Sequence, residues 1–165
     1  MKSHVIFQKA DEETVNGILS WLRNQERGLY RVALRDLGKL KKLRLQFIQQ
    51  KPVAEQLSWL RKMLSWKPAN DIAGNLLQVW LLRKHEQMLV NFITTLGIEH
   101  DGHGVVNELP DALDPEKLKE AVDALFAAYP AGVASIYLQM FQNQTETGWE
   151  ALAFVLENDP RVTIR

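Results

Sequence analysis

The chain has 165 residues, 46% of them hydrophobic, which suits one domain or two small subdomains with a sizeable core. It contains no cysteine, so disulfides, thiolate metal sites and cysteine nucleophiles are excluded. Its net charge is zero, but residues 1–97 hold 16 basic and 8 acidic side chains (+8), and residues 98–165 hold 4 and 12 (−8). This polarity predicts a polyanionic partner for the basic half, or docking between oppositely charged surfaces.

The sequence carries no signal for export or for membrane insertion. The apolar run near the N-terminus covers only Val5 to Phe7, whereas a secretory signal needs roughly 7–15 apolar residues. No later window approaches the roughly 18 uninterrupted apolar residues of a membrane span. Together with the absence of cysteine, which fits a reducing compartment, this predicts a soluble cytoplasmic protein without a membrane partner.

In chain order, the first half is expected to contain a short strand followed by helices. The segment "HVIF" is β-prone, and Asp11 is the expected N-cap of the first helix. A second helical pattern covers residues 29–50, with Gly38 as a kink or break. Pro52 opens the next helix, and a long central helix is expected over residues 72–96, because its apolar face is wide.

The second half begins with a loop over residues 98–113, the longest non-helical stretch of the chain. Asp114 and Pro115 then mark a helix start, and three helices follow. The tail "RVTIR" is expected to pair with "HVIF". The predicted fold is a single all-α domain (1–165) of about seven helices. It comprises a basic helical layer (1–97), a connecting loop (98–113) and an acidic three-helix unit (114–165).

A five-residue string occurs twice in the basic half. "LSWLR" spans residues 19–23 and again residues 57–61, which are 38 positions apart. Families of helical repeats have periods of about 34–47 residues. This spacing supports the hypothesis of a duplicated helix pair, against the alternative that amphipathic helices reuse a small set of residues.

The segment "GIEHDGHG" at residues 97–104 is the first candidate site. His100, Asp101 and His103 supply nitrogen and oxygen donors of the kinds that zinc, manganese and iron bind. The competing and favoured interpretation is a polar turn, since glycine after Asp or His accommodates positive φ. His85, on the apolar stripe of the long helix, is expected to be a core or pocket residue.

Two further surfaces are candidates for partner binding. Residues 31–51 hold seven basic side chains and one acid, and four of them form a line on one helix face that predicts contacts with phosphates: Arg31, Arg35, Lys39 and Lys42. Tryptophan and methionine concentrate at protein interfaces. A flank rich in these residues therefore predicts an interface: Trp21, Trp59, Met63 and Trp66.

No nucleophile elbow, phosphate-binding glycine loop or HExxH motif occurs, and no cofactor is predicted. The leading hypothesis is therefore a non-enzymatic helical interaction module that binds a protein partner or itself. Two alternatives stay open. One is a metal-dependent or acid–base enzyme that uses the 97–104 loop, and the other is nucleic-acid or polyanion binding through residues 31–51.

Overall fold

The computed structural model describes residues 1–165 and contains ten α-helices, one short 3₁₀ helix (Lys67–Ala69) and no strand, which confirms the all-α prediction. The helices are α1 (Ser3–Lys9), α2 (Glu12–Gln25), α3 (Arg27–Leu40), α4 (Leu45–Gln49), α5 (Val53–Leu64), α6 (Asn70–Lys84), α7 (Glu86–Leu96), α8 (Pro115–Ala128), α9 (Ala131–Gln142) and α10 (Glu150–Asn158). None of them has the length and apolar composition that crossing a membrane requires.

The helix count exceeds the predicted seven because two long patterns are interrupted and one expected strand is helical. The predicted helix over residues 72–96 is broken at His85, whose backbone (φ −119°, ψ 25°) leaves the helical region. The predicted helix over residues 29–50 ends after Leu40, and Lys42 takes a left-handed conformation with φ 55°. Gly38 is not the break, since α3 continues past it.

The predicted strand at "HVIF" is wrong, because this segment lies within helix α1. A short apolar run does not by itself distinguish a strand from a buried helix. Here Ile6 and Phe7 are both buried, and α1 packs against α5. The predicted pairing with "RVTIR" is wrong as well, since the tail forms no strand.

The chain divides into two compact units. The N-terminal unit comprises residues 2–80, and the C-terminal unit comprises residues 81–165 together with Met1. The N-terminal unit holds 14 Lys and Arg and 7 Asp and Glu, a net charge of +7. The C-terminal unit holds 6 and 13, a net charge of −7. Helix α7 belongs to the acidic unit because it packs along α8.

In the N-terminal unit, α2, α3 and α5 pack against one another. Asp11 caps α2 as predicted, since its Oδ1 accepts the Thr14 N–H at 2.7 Å. The buried Gln56 joins three segments. Its amide donates to the carbonyl of Gln49 at 3.2 Å and to that of Lys51 at 2.8 Å, and its carbonyl accepts the Tyr30 hydroxyl at 3.4 Å.

The repeated "LSWLR" strings lie on α2 and α5, which contact each other. Leu22 and Leu60, which correspond in the two copies, are both buried, and Trp21 and Trp59 are both partly exposed. The hypothesis of a duplicated helix pair stays a prediction.

In the C-terminal unit, α8, α9 and α10 form the predicted three-helix set, and Asp114 caps α8 through the backbone N–H groups of Glu116 and Lys117. The core contains an aromatic cluster of Phe92, Tyr137, Phe141 and Trp149. The tail is fixed on α9 by two hydrogen bonds. Gln139 donates to the Ile164 carbonyl at 2.8 Å, and Ser135 accepts the Thr163 N–H at 2.9 Å.

Candidate functional site

The 97–104 loop is organised by its own hydrogen bonds. Gly97 ends α7 in a left-handed conformation with φ 74°. The Asp101 carboxylate then accepts the N–H of His103 at 2.7 Å and that of Val105 at 3.1 Å. These two backbone hydrogen bonds lower the pKa of Asp101. This arrangement is the polar turn that Asp and Gly favour after a helix.

The two histidines of the loop bind different partners. His100 accepts the Gly102 N–H at its Nδ1 (3.0 Å), and its Nε2 lies 2.9 Å from the Thr94 hydroxyl. Since that hydroxyl donates to the Val90 carbonyl, the neutral His100 ring carries its proton on Nε2 and donates to Thr94. His103 instead places Nδ1 2.7 Å from a carboxylate oxygen of Glu86 on α7.

No three His, Asp or Glu side chains form a group that could hold a metal ion. The metal site predicted at His100, Asp101 and His103 stays a prediction.

Glu86 is expected to raise the pKa of His103. The hydrogen bond and the charge of Glu86 favour the protonated ring and raise the His103 pKa above its usual 6.5. The pair therefore stabilises the folded chain below the unfolded pKa of about 6.5, and this contribution is lost as the pH rises through the higher folded value. In an NMR titration, we expect Glu86→Gln to bring the His103 pKa back toward 6.5.

Glu99→Gln is the matched control, because it removes one carboxylate from the loop without removing a partner of His103. It is expected to leave the His103 titration nearly unchanged. An equal shift in both variants would mean that the general negative charge, rather than the Glu86 contact, sets this pKa.

His85 is partly buried, and burial together with the neighbouring Lys84 lowers its pKa to about 4. Its ring meets the Tyr129 ring edge-on with 6.4 Å between centroids. The neutral form of His85 is therefore favoured at pH 7, and its assignment as a core or pocket residue stays a prediction.

The predicted basic line is only partly formed. Arg31, Arg35 and Lys39 are exposed on α3, but Lys42 lies beyond the end of that helix and so leaves the line. The helical spacing places Lys42 on this line only if the helix continues, and α3 ends at Leu40. Arg35 and Lys39 both contact the Asp36 carboxylate, at 3.1 and 3.3 Å, which offsets part of their charge.

The predicted tryptophan flank is also only partly exposed. Trp66 is 40% exposed, and Trp21 and Trp59 are partly exposed. Met63 is only 4% exposed and therefore belongs to the core, which corrects its assignment to an interface.

The C-terminal unit contains an open groove that sequence reasoning missed. It has a volume of about 1080 Å³ and lies between the segment 111–113, the N-terminal half of α8 and helix α10. Its floor is apolar and buried: Leu113, Leu118, Val122 and Trp149. Phe154 on α10 also lines it and is 67% exposed.

Local sequence explains how α10 comes to border the groove. Gly148 turns the chain with φ 68°, and the Gln142 side chain then bonds both the N–H and the carbonyl of Trp149, each at 3.1 Å. Leu152 and Leu156 face the core. At 100° per residue, Phe154 is about 200° from each of them and so lies on the outer face.

The rim of the groove is charged, and Arg161 organises one end of it. Its guanidinium bonds Asp159 at 2.6 Å and Asp123 at 2.7 Å, and it stacks over the Phe126 ring at 4.9 Å. These hydrogen bonds raise the pKa of Arg161 and lower that of Asp159. The other charged side chains on the rim are two acids, Asp111 and Glu150, and one base, Lys119.

The sequence contained one signal of this groove. Phe154 is a large apolar residue on the polar side of an amphipathic helix, a pattern that indicates a binding surface when an apolar floor lies beside it. Comparison of the chain with protein-family models, with curated proteins and with solved structures found no match.

Proposed function

We propose that the chain is a non-enzymatic helical interaction module whose C-terminal groove binds a basic amphipathic helix of a protein partner. The observation that carries this proposal is Phe154, a phenylalanine 67% exposed at the edge of a groove with an apolar floor. Aromatic side chains in such positions are frequent anchors of protein interfaces.

The shape of the groove favours a helical segment over a small molecule. Its volume of about 1080 Å³ is at or above the upper end of the roughly 300–1,000 Å³ usual for small-molecule sites. Two helices, α8 and α10, form its walls, and the nine residues of α10 extend about 14 Å. That length matches two to three turns of a partner helix, which presents apolar anchors at positions i and i+4.

Charge complementarity favours a basic partner. The groove belongs to a unit with a net charge of −7. Four acids line the groove (Asp111, Asp123, Glu150 and Asp159), but only two basic side chains do (Lys119 and Arg161), so the rim has an excess of negative charge. Lys and Arg beside the apolar anchors of a partner would meet these carboxylates and increase the association rate. The absence of cysteine supports a cytoplasmic setting.

The proposal is tested by selecting random peptides of about 12 residues on the full chain and measuring their affinity for groove variants. We expect the selected peptides to combine spaced apolar residues with Lys or Arg. Phe154→Ser is expected to weaken their binding by at least about tenfold, because it removes the aromatic anchor.

Val105→Ser is the control, since Val105 is 47% exposed in the same unit but does not line the groove. This variant should bind the peptides like the unmodified chain. Acidic consensus peptides, no enrichment, or an equal loss in both variants would contradict the proposal. Self-association in sedimentation that Phe154→Ser abolishes would also contradict it, since the occupant would then be a second copy.

A further inference from the structure

A second surface, in the N-terminal unit, combines exposed aromatic rings with cations. Phe47 on α4 is 53% exposed, and Trp66 after α5 is 40% exposed. The ammonium of Lys51 lies 5.1 Å from the centre of the Phe47 ring, and that of Lys41 lies 4.3 Å from the centre of the Trp66 ring. We define the cationic aromatic surface by four cations and two rings: Lys41, Lys42, Arg44, Lys51, Phe47 and Trp66.

The positive charge of this surface is concentrated in one stretch of chain. Residues 37–54 contain five Lys and Arg and no acid. The nearest acids in sequence are Asp36, which binds Arg35 and Lys39, and Glu55, which lies 3.4 Å from Lys51. Lys41, Lys42 and Arg44 are exposed and form no ion pair with either acid.

The fold brings the cations and the rings together at one end of α3. After Leu40 the chain turns through Lys42, and the Leu43 N–H returns to the Gly38 carbonyl at 2.8 Å. Helix α4 starts directly after Arg44, with Phe47 in its first turn. Helices α3 and α5 contact each other, and Lys41 reaches the ring of Trp66 beyond α5.

We infer that the cationic aromatic surface binds single-stranded nucleic acid, with bases on the Phe47 and Trp66 rings and phosphates on Lys41, Lys42, Arg44 and Lys51. Proteins that bind single strands combine these two elements, aromatic rings for stacking and cations that follow the backbone. A base that stacks on a ring displaces its lysine, and the freed ammonium then binds the adjacent phosphate.

The rings distinguish this ligand from other polyanions. A duplex keeps its bases stacked internally and offers only phosphates to an open surface, so it would use the cations but not the rings. The basic line Arg31, Arg35 and Lys39 on α3 contains no aromatic ring, so it could contact only phosphates. The inference therefore places the binding site at the end of α3 and does not depend on the groove of the C-terminal unit.

The test measures fluorescence anisotropy of labelled oligonucleotides of about 15 nucleotides, single-stranded or duplex, with the full chain. With four cations on phosphates, affinity for the single strand should fall about 50-fold between 50 and 200 mM salt. Lys41→Gln/Arg44→Gln should reduce the slope of log affinity against log salt by about 1.4. Phe47→Ala and Trp66→Ala should each weaken single-strand binding at least about fivefold without changing that slope.

Lys84→Gln/Lys117→Gln is the charge-matched control, because it removes two exposed lysines of the C-terminal unit. It should retain both the affinity and the slope. Circular dichroism confirms that each variant is folded, and Trp66→Phe, which keeps a ring, should recover most of the binding. Equal affinity for duplex, no effect of the ring variants, an equal loss in the control, or no binding would each overturn the inference.

Discussion

Replacement of Trp149 by alanine is expected to destabilise the C-terminal unit by about 3–5 kcal/mol, the range for truncating a large aromatic side chain in a core. Trp149 is 3% exposed and stacks on Phe141 with 4.9 Å between ring centroids. Its indole N–H also donates to the Pro110 carbonyl at 2.8 Å, which fastens the connecting loop to α10. The free energy of unfolding of the C-terminal unit is measured by urea titration, with hydrogen exchange of amides in α9 and α10 as the probe. A probe within this unit is needed because the two units need not unfold together.

Two variants separate the contributions of this side chain. Trp149→Phe keeps most of the stacking but leaves the Pro110 carbonyl without its donor, so it should cost about 1–2 kcal/mol. Trp66→Ala, followed by hydrogen exchange in α3 and α5 of its own unit, removes a tryptophan that is 40% exposed and should cost about 1 kcal/mol or less. Equal destabilisation by Trp149→Ala and Trp66→Ala would contradict the core position assigned to Trp149.

The features that the sequence predicted correctly are local ones. Asp11 and Asp114 were recognised as helix caps because a cap depends on three or four neighbouring residues. The break at His85 was missed because apolar residues continue on both sides of it, so the stripe gave no sign of an interruption. The sequence pattern predicts a strand at α1, whereas packing against α5, which no local pattern contains, decides that this segment is a helix.

Both proposed binding surfaces depend on residues that are distant in sequence. The groove combines Leu113, Val122 and Phe154, from a loop and two different helices. The contact between Lys41 and Trp66 joins the end of α3 to the end of α5. Composition indicated the charge of each half of the chain, but only the fold shows which exposed aromatic rings lie beside that charge.

Two of the three glycines in the 97–104 loop, Gly102 and Gly104, should respond very differently to alanine. Both have positive φ, +88° at Gly104 and +86° at Gly102, so either substitution costs about 1 kcal/mol in backbone conformation. Only at Gly104 would the new Cβ collide with a neighbour, at 2.8 Å from the Cβ of Leu89 on α7, a buried residue. Overpacking adds about 1–3 kcal/mol, so we expect Gly104→Ala to cost about 2–4 kcal/mol in urea unfolding.

Gly102→Ala is the control, since nothing lies within 4 Å of its added Cβ. A clear difference between the two variants would mean that the loop is packed against α7 as a structural turn, held by Asp101 and by the contacts of His100 and His103 with Thr94 and Glu86. If both variants cost the same, the loop would not be seated on α7. Its histidines would then be able to rearrange around a ligand, and the metal-site hypothesis would become the stronger interpretation of these eight residues.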